Sequence, residues 1–332
     1  MGAIEENCTY QVAKCNLVCS IVFTFYRIFD TQKLNPIAVL HIALRCSQLE
    51  KMIRKKKTNK YLTFIAIILC NLTFAQNRNK LSQVTQLSIG EKLEFQSAIL
   101  NEKRNLNIYL PNGYSKDSTK DYPVIYLLDG SIDEDFIHIS GLVQFGSFSW
   151  INMIPKSIVV GISNVDRKRD FTFPTNNKKD KKDFPTTGKS KEFINFIINE
   201  LQPFIDIRYK TNSNKTIIGQ SLGGLLATEI LFKKPNSFNN YIIVSPSLWW
   251  DDESLLKSVP VSYSSNKSIF IGVGKEGKIM ERTAKELYKK LNLLKKENTN
   301  LYFEFFEEQN HGDALHLAVY SAFEKIFSKV KK

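Results

Sequence analysis

The sequence predicts an α/β domain: a mostly parallel central sheet with helices on both faces and antiparallel strands at its N-terminal edge. Three observations predict it. From Pro123 onward, apolar runs too short to be helices alternate with stretches of helical period. The run Pro123–Leu128 is almost continuously apolar, as expected of a strand buried on both faces, and such a strand needs helices above and below it. Ahead of it, Lys92–Leu110 is strand-like around a break at Asn101–Glu102, which reads as two antiparallel strands.

The elements then follow in order. Pro111-Asn112-Gly113 turns the chain after the second strand, and the central run stops at Asp129-Gly130. A helix is expected over Ile132–Val143, a strand over Ser157–Ile162, a polar loop from Asn164 to Lys189, a helix over Ser190–Phe204 and a strand over Thr216–Gly219. The helix after Ser221 reaches Phe232 and stops before Pro235, because proline disfavours helical geometry in the residue preceding it. Strands over Tyr241–Val244 and Ser268–Val273, an amphipathic helix over Glu281–Leu294, a strand over Leu301–Phe306 and a helix from Ala314 complete the series. With no internal repeat and no linker after residue 80, residues 76–332 read as one domain.

The N-terminal part is compositionally different. Cys8, Cys15, Cys19, Cys46 and Cys70 are the chain's five cysteines, so everything beyond is held together without disulfides or thiolate metal sites. Met52 opens a basic stretch (Arg54, Lys55, Lys56, Lys57, Lys60) followed by the apolar run Tyr61–Leu69, which continues to Ala75. Thr73 and Ala75 are small residues at the −3 and −1 positions before Gln76, so residues 52–75 are expected to be a signal peptide and the protein to be exported, periplasmic or extracellular. Asn71 interrupts the run and leaves it shorter than the roughly 20 apolar residues of a spanning helix, so no stable membrane insertion is expected. Leu69 is too large for the usual lipoprotein signal at Cys70. Residues 1–51 are then expected to be an upstream extension arising from a start codon set too early.

The formal charge of +13 bounds the partners. Residues 1–75 carry 10 Lys/Arg against 4 Asp/Glu, which leaves +7 for the remainder. Lys178, Lys179, Lys181 and Lys182 are the main basic cluster there, and Asp180 and Asp183 interrupt it, so a solvated loop is expected rather than a nucleic-acid surface.

The chemistry is concentrated at Gly219-Gln220-Ser221-Leu222-Gly223. This is the nucleophile-elbow pattern, in which side-chain-free positions at 219 and 223 let a strand and a helix approach and lift the serine oxygen into the open. Alone the pattern is weak. The strand Thr216-Ile217-Ile218 before it and the helix Leu225–Leu231 after it supply the required context. A serine hydroxyl needs a base, which in an α/β-hydrolase comes late, in the order Ser, acid, His. Of the four histidines, His41 lies in the leader, His138 precedes the serine and His316 sits inside the last helix. His311, on the polar loop after the final strand, is therefore the expected base. For the acid, Glu276 in Gly274-Lys275-Glu276-Gly277 fits best, with Asp251 or Asp252, or a simple Ser–His pair, as alternatives. Oxyanion donors are expected at the Leu222 amide and the Gly130-Ser131 corner, although Gly130 fits equally well as an ordinary turn glycine at the end of the strand.

These residues resemble the esterase family of α/β-hydrolases that includes enterochelin (siderophore) esterases and is related to S-formylglutathione hydrolase. The resemblance covers roughly Leu93 to Ser328. It rests on Tyr126-Leu127-Leu128-Asp129-Gly130, Arg169-Asp170-Phe171-Thr172, the elbow with its extra Gly224, Ser245-Pro246-Ser247-Leu248-Trp249-Trp250, and Asn310-His311-Gly312. It implies cofactor-free hydrolysis of a small-molecule carboxylic ester through an acyl-serine, with the loop resembling Arg169–Thr172 near the active-site mouth. Arg169 is then a candidate anion clamp and Trp249 and Trp250 are candidate pocket walls, although a salt bridge to Asp170 and core packing are equally natural for them. Two other classes share these features: an acyltransferase using the same acyl-serine, and a binding protein that has kept the fold.

Overall fold

The computed structural model describes residues 84–295 and 297–327, so the expectations for residues 1–51 and 52–75 lie outside the described residues. The chain divides into two compact units, at Thr85 and Gln86, and the second contains all the elements below.

Eight strands form one sheet: β1 (Gly90–Ser97), β2 (Glu102–Tyr109), β3 (Tyr122–Leu127), β4 (Ile158–Ile162), β5 (Thr211–Gln220), β6 (Asn240–Val244), β7 (Lys267–Gly274) and β8 (Thr299–Phe306). Their spatial order is β1-β2-β4-β3-β5-β6-β7-β8. β1 runs antiparallel to β2 and β2 antiparallel to β4, while every other pair is parallel. The expected parallel sheet with an antiparallel N-terminal edge is what forms. Its helices are α1 (Phe136–Gly146), α2 (Arg167–Phe171), α3 (Lys178–Asp183), α4 (Ser190–Phe196), α5 (Gln202–Arg208), α6 (Leu222–Lys233), α7 (Trp250–Lys257), α8 (Lys278–Leu294) and α9 (Ala314–Phe327).

Successive residues of a strand point to opposite faces, and β3 shows it. Val124 and Tyr126 pack into one buried cluster with Phe238, Trp250 and the elbow helix residues Leu225 and Leu226; Ile125 and Leu127 pack into the other with Phe136, Phe270 and Phe323. Each large apolar side chain so buried contributes about 1.5–3 kcal/mol. The sheet therefore has a core on each face, as its apolar β3 requires.

The strand expected from Thr216 begins at Thr211, and the structure differs from the sequence expectations in four further places. The helix expected from Ile132 starts at Phe136, because the Asp135 amide bonds the Asp129 carbonyl (3.1 Å) and closes residues 129–135 into a loop. The polar stretch Asn164–Lys189 contains α2 and α3. Each begins at a side-chain cap: Asp166 accepts from the Arg169 amide, and Asn177 from the amides of Lys179 and Asp180. The helix expected to end at Phe204 continues to Arg208, through a π turn at Ile197–Leu201. Finally, α7 has no counterpart among the sequence expectations. Its first turn is irregular, with Asp251, Asp252 and Glu253 all in left-handed backbone conformations, so no run of helical period announces it.

All parallel strands end on one edge, where Leu127, Ile162, Gln220, Val244, Gly274 and Phe306 are their last residues. In open α/β sheets ligands bind at this carboxyl edge.

Candidate active site

The elbow is built as its glycines require. Ser221 sits between β5 and α6 at φ 59° and ψ −119°, outside the regions that side-chain-bearing residues favour. The turn is held by the Ser221 amide, which donates to the Val244 carbonyl at 3.1 Å, and by the Ser221 carbonyl, which accepts from the amides of Leu225 at 2.9 Å and Ser247 at 3.0 Å. A Cβ at Gly219 would lie 2.4 Å from the Gly223 carbonyl oxygen, so only glycine allows strand and helix this close.

The candidate base, His311, follows the next-but-two strand, β8. The loop after β8 is fixed by the Asn310 side chain, which accepts from the Gly312 amide (2.8 Å), and by Asp313, which accepts from the Asn310 amide (2.6 Å). Gln220, the residue before Ser221, donates from its side chain to the His311 carbonyl at 2.6 Å and ties this loop to the elbow. His311 Nδ1 lies 2.5 Å from Glu276 Oε2. A carboxylate at Nδ1 fixes the proton there, which leaves Nε2 free to accept one.

Glu276 follows β7, and only 1% of its side chain is exposed. Its other oxygen, Oε1, accepts from the Gly274 amide at 2.9 Å and from the Ser245 hydroxyl. Burial pushes the Glu276 carboxyl up, but the bonds from His311, Ser245 and Gly274 outweigh it and hold the group below the usual glutamate value. It is therefore an anion beside the imidazole. Asp251 and Asp252 are elsewhere engaged: Asp251 accepts from the Thr175 hydroxyl and the Asn176 amide (both 2.8 Å), and Asp252 from the Asn177 side chain (2.7 Å). Of the three candidate acids, Glu276 is the one in contact with His311.

Ser221, Glu276 and His311 line one cavity of about 530 Å³, together with Ser247, Trp249, Lys275, Met280 and Asn310. The Ser221 hydroxyl is 3.3 Å from that of Ser247, while His311 bonds Glu276; catalytic contacts between nucleophile and base often close only once substrate is bound. A larger depression of about 720 Å³ lies at the opposite edge of the sheet, around Thr211, Asn239 and Lys267, and no histidine lines it.

The remaining expected residues divide. The Leu222 amide opens α6, where the first amides lack intrahelical partners and the helix dipole favours an anion. Gly130 is a correction: its amide is spent on the Ile162 carbonyl at 3.0 Å, and a Cβ there would lie 2.3 Å from Gly161, so this glycine serves the close approach of the chain after β3 to β4. The Ser131 amide faces Glu134 Oε2 at 3.3 Å. Arg169 is bound to Asp170 Oδ1 (2.7 Å) and Glu102 (2.6 Å), which raise its pKa further, and the clamp expected there is instead a structural ion pair. Asp170 in turn meets the fully buried Arg104 at 2.5 Å, so this cluster fastens α2 to β2. Trp249 reaches the cavity, but Trp250 is fully buried and donates its indole N–H to the Phe173 carbonyl at 2.9 Å, so it packs rather than lines. His316 packs against His138, ring centres 5.6 Å apart, away from the cavity lining.

Sequence reasoning misses two supports. Arg167 pairs with both oxygens of Asp129 (2.6 and 2.8 Å) and donates to the Gln220 carbonyl at 3.3 Å, bracing the elbow from below. Ser245 and Ser247 stand in the Ser245–Trp250 motif, but nothing in the sequence says that their hydroxyls face Glu276 and Ser221.

The chain is similar to known esterases. The family model described as a putative esterase matches residues 97–320. Ferri-bacillibactin esterase of Bacillus subtilis (strain 168) is 30% identical over 242 residues, 66% of this chain and 83% of the relative. Siderophore triacetylfusarinine C esterase of Aspergillus fumigatus is 32% identical over 109 residues, 30% of this chain and 37% of the relative. Among solved structures, the BES protein from Bacillus cereus superposes with a TM-score of 0.65 at 27% identity, covering 76% of this chain and 100% of its own. An IroE-like serine hydrolase from Shewanella oneidensis gives 0.64 at 28% identity, over 72% of this chain and 80% of its own.

Proposed function

The chain belongs to the esterase family of α/β-hydrolases and is a carboxylic ester hydrolase, and from that premise we propose that Ser221, His311 and Glu276 carry the reaction on a small-molecule ester of the siderophore type. The observation that carries the assignment is the Glu276–His311 bond in the cavity that opens on Ser221. Glu276 holds the imidazole with its proton on Nδ1, so Nε2 takes the Ser221 proton as Oγ attacks the ester carbonyl. Negative charge developing on the carbonyl oxygen faces the Leu222 amide at the start of α6. Collapse expels the alcohol, protonated by His311, and leaves an acyl-serine; water attacks it with His311 again as base and frees Ser221.

Two observations favour this reading over transfer to another hydroxyl. His311 is 48% exposed, so water reaches the base directly. The similar relatives are themselves described as siderophore esterases, and Lys275, exposed on the cavity, suits a substrate that carries negative charge. Export is part of the proposal and rests on the basic Arg54–Lys60 stretch, the apolar run after it and the small residues before Gln76.

The test is a panel of esters, from p-nitrophenyl acetate to ferric catecholate siderophores and acetylated sugars. Turnover of a ferric siderophore above the simple esters is expected, and the Ser221→Ala protein should turn over none and lose labelling by a fluorophosphonate. Labelling that survives the substitution would overturn the nucleophile. His311→Ala should likewise abolish turnover, and activity that survives it would overturn the base. For export, N-terminal sequencing of the natural protein should begin at Gln76; residues ahead of it on the exported protein would refute cleavage there.

A further inference from the structure

The corner after β6 touches both ends of the proposed relay. Ser245 and Ser247 are two residues apart, and the first donates its hydroxyl to Glu276 Oε1 while the second places its hydroxyl 3.3 Å from Ser221 Oγ. The corner is fixed by its backbone: Ser245, at φ 44°, donates its amide to the Gly272 carbonyl at 2.8 Å, and Ser247 donates its amide to the Ser221 carbonyl at 3.0 Å. Ser247 is 2% exposed, yet it lines the cavity, so its hydroxyl is sheltered and aimed at the nucleophile. Either hydroxyl of the Ser221–Ser247 pair can be the donor.

The geometry points to Ser247 as a further catalytic group, one that assists release of the acyl chain from Ser221. This rests on the reading of Ser221 as nucleophile. When Ser221 gives its proton toward His311, Ser247 becomes the donor and Ser221 Oγ the acceptor. The value of that bond differs between the two halves of the cycle, because only interactions stronger in the transition state than in the ground state accelerate a step. In acylation the ground state is a hydroxyl, already a good acceptor, and little is gained. In deacylation the ground state is an ester oxygen, a poor acceptor. As the intermediate collapses, the bond from the acyl carbon to Oγ breaks, the electron pair passes to Oγ, and His311 returns a proton to it. A hydroxyl donating to Oγ stabilises that developing charge without transferring its own proton.

Burst kinetics with p-nitrophenyl acetate test this. In Ser247→Ala the burst, which reports acylation, should stay within about twofold of wild type, while steady-state turnover should fall by about tenfold, the worth of one neutral hydrogen bond. KM should fall in parallel, leaving kcat/KM nearly unchanged, and Ser247→Thr, which keeps the hydroxyl, should recover most of the turnover. A burst and a turnover slowed equally, or both unchanged, would overturn the role of Ser247. A wild-type protein that a fluorophosphonate does not label would overturn the esterase site itself, and the two failures are thereby told apart.

Discussion

Glu276→Gln changes one atom and should cost more than the charge it removes. In the native protein Oε1 is claimed by two donors, the Gly274 amide at 2.9 Å and the Ser245 hydroxyl, while Oε2 faces His311 Nδ1 at 2.5 Å. The glutamine oxygen must stay with the two donors, which turns its NH2 toward Nδ1. Nδ1 then has to accept, the imidazole proton moves to Nε2, and the atom meant to take the Ser221 proton already holds one. Loss of a charge-assisted bond alone is worth about 1.5–3 kcal/mol, or roughly 10- to 150-fold in rate. The wrong tautomer adds to this, so kcat for a p-nitrophenyl ester should fall by about a thousandfold or more, with KM little changed. A loss under about tenfold would show that Glu276 does not set the state of His311. The same substitution should alter acid stability. The folded protein holds Glu276 below its ordinary value of 4.5, so near that pH the unfolded chain binds more protons and stability rises with pH. The contribution is complete above 4.5 and lost as pH falls through the lower folded value; urea midpoints of wild type and variant should converge there.

Three further outcomes follow from the packing. Gly219→Ala should displace Ser221, because the new methyl would lie 2.4 Å from the Gly223 oxygen; a displacement near 1 Å costs about a hundredfold in kcat, and an unaltered kcat would refute the elbow geometry. Asp170→Ala leaves the fully buried Arg104 short of a partner, which should cost about 3–5 kcal/mol and, by calorimetry, lower Tm by roughly 6–20 °C; a shift under about 3 °C would refute it. Lys267, nearly fully buried, has its pKa lowered by burial from 10.5 to about 8, so between those values the unfolded chain binds more protons and stability rises with pH. Lys267→Met should abolish that rise, and equal pH slopes for the two proteins in urea unfolding would count against it.

The parallel sheet is legible because β3 is apolar on both faces and because each strand is followed by a helix of the right period. The candidates Ser221 and His311 are legible by spacing and by elimination among four histidines. The acid stays open in the sequence because three carboxylates follow late strands, and only the fold shows that Asp251 and Asp252 turn toward Thr175, Asn176 and Asn177. Gly130 misleads because a glycine that lets two strands meet and one that presents an amide look alike in a sequence. For Arg169 the neighbouring Asp170 is a local signal of the ion pair that forms, while its second partner, Glu102, lies 67 residues away and leaves none. Ser247 stands inside the Ser245–Trp250 motif, but a sequence does not say which atom a hydroxyl faces.

The strands that carry the site, β5, β6, β7 and β8, lie side by side in the order in which they occur in the chain. They deliver Ser221, the Ser245–Ser247 corner, Glu276 and His311 in turn. A ribosome therefore makes the proposed nucleophile first and its proposed base last, and the latter follows the outermost strand, which pairs on one side only. Until β8 has been synthesised and has docked, the nascent chain holds an elbow with nothing to activate it. On the proposed assignment, activity waits for the last strand to dock, and it depends on an edge on which the centre of the sheet does not.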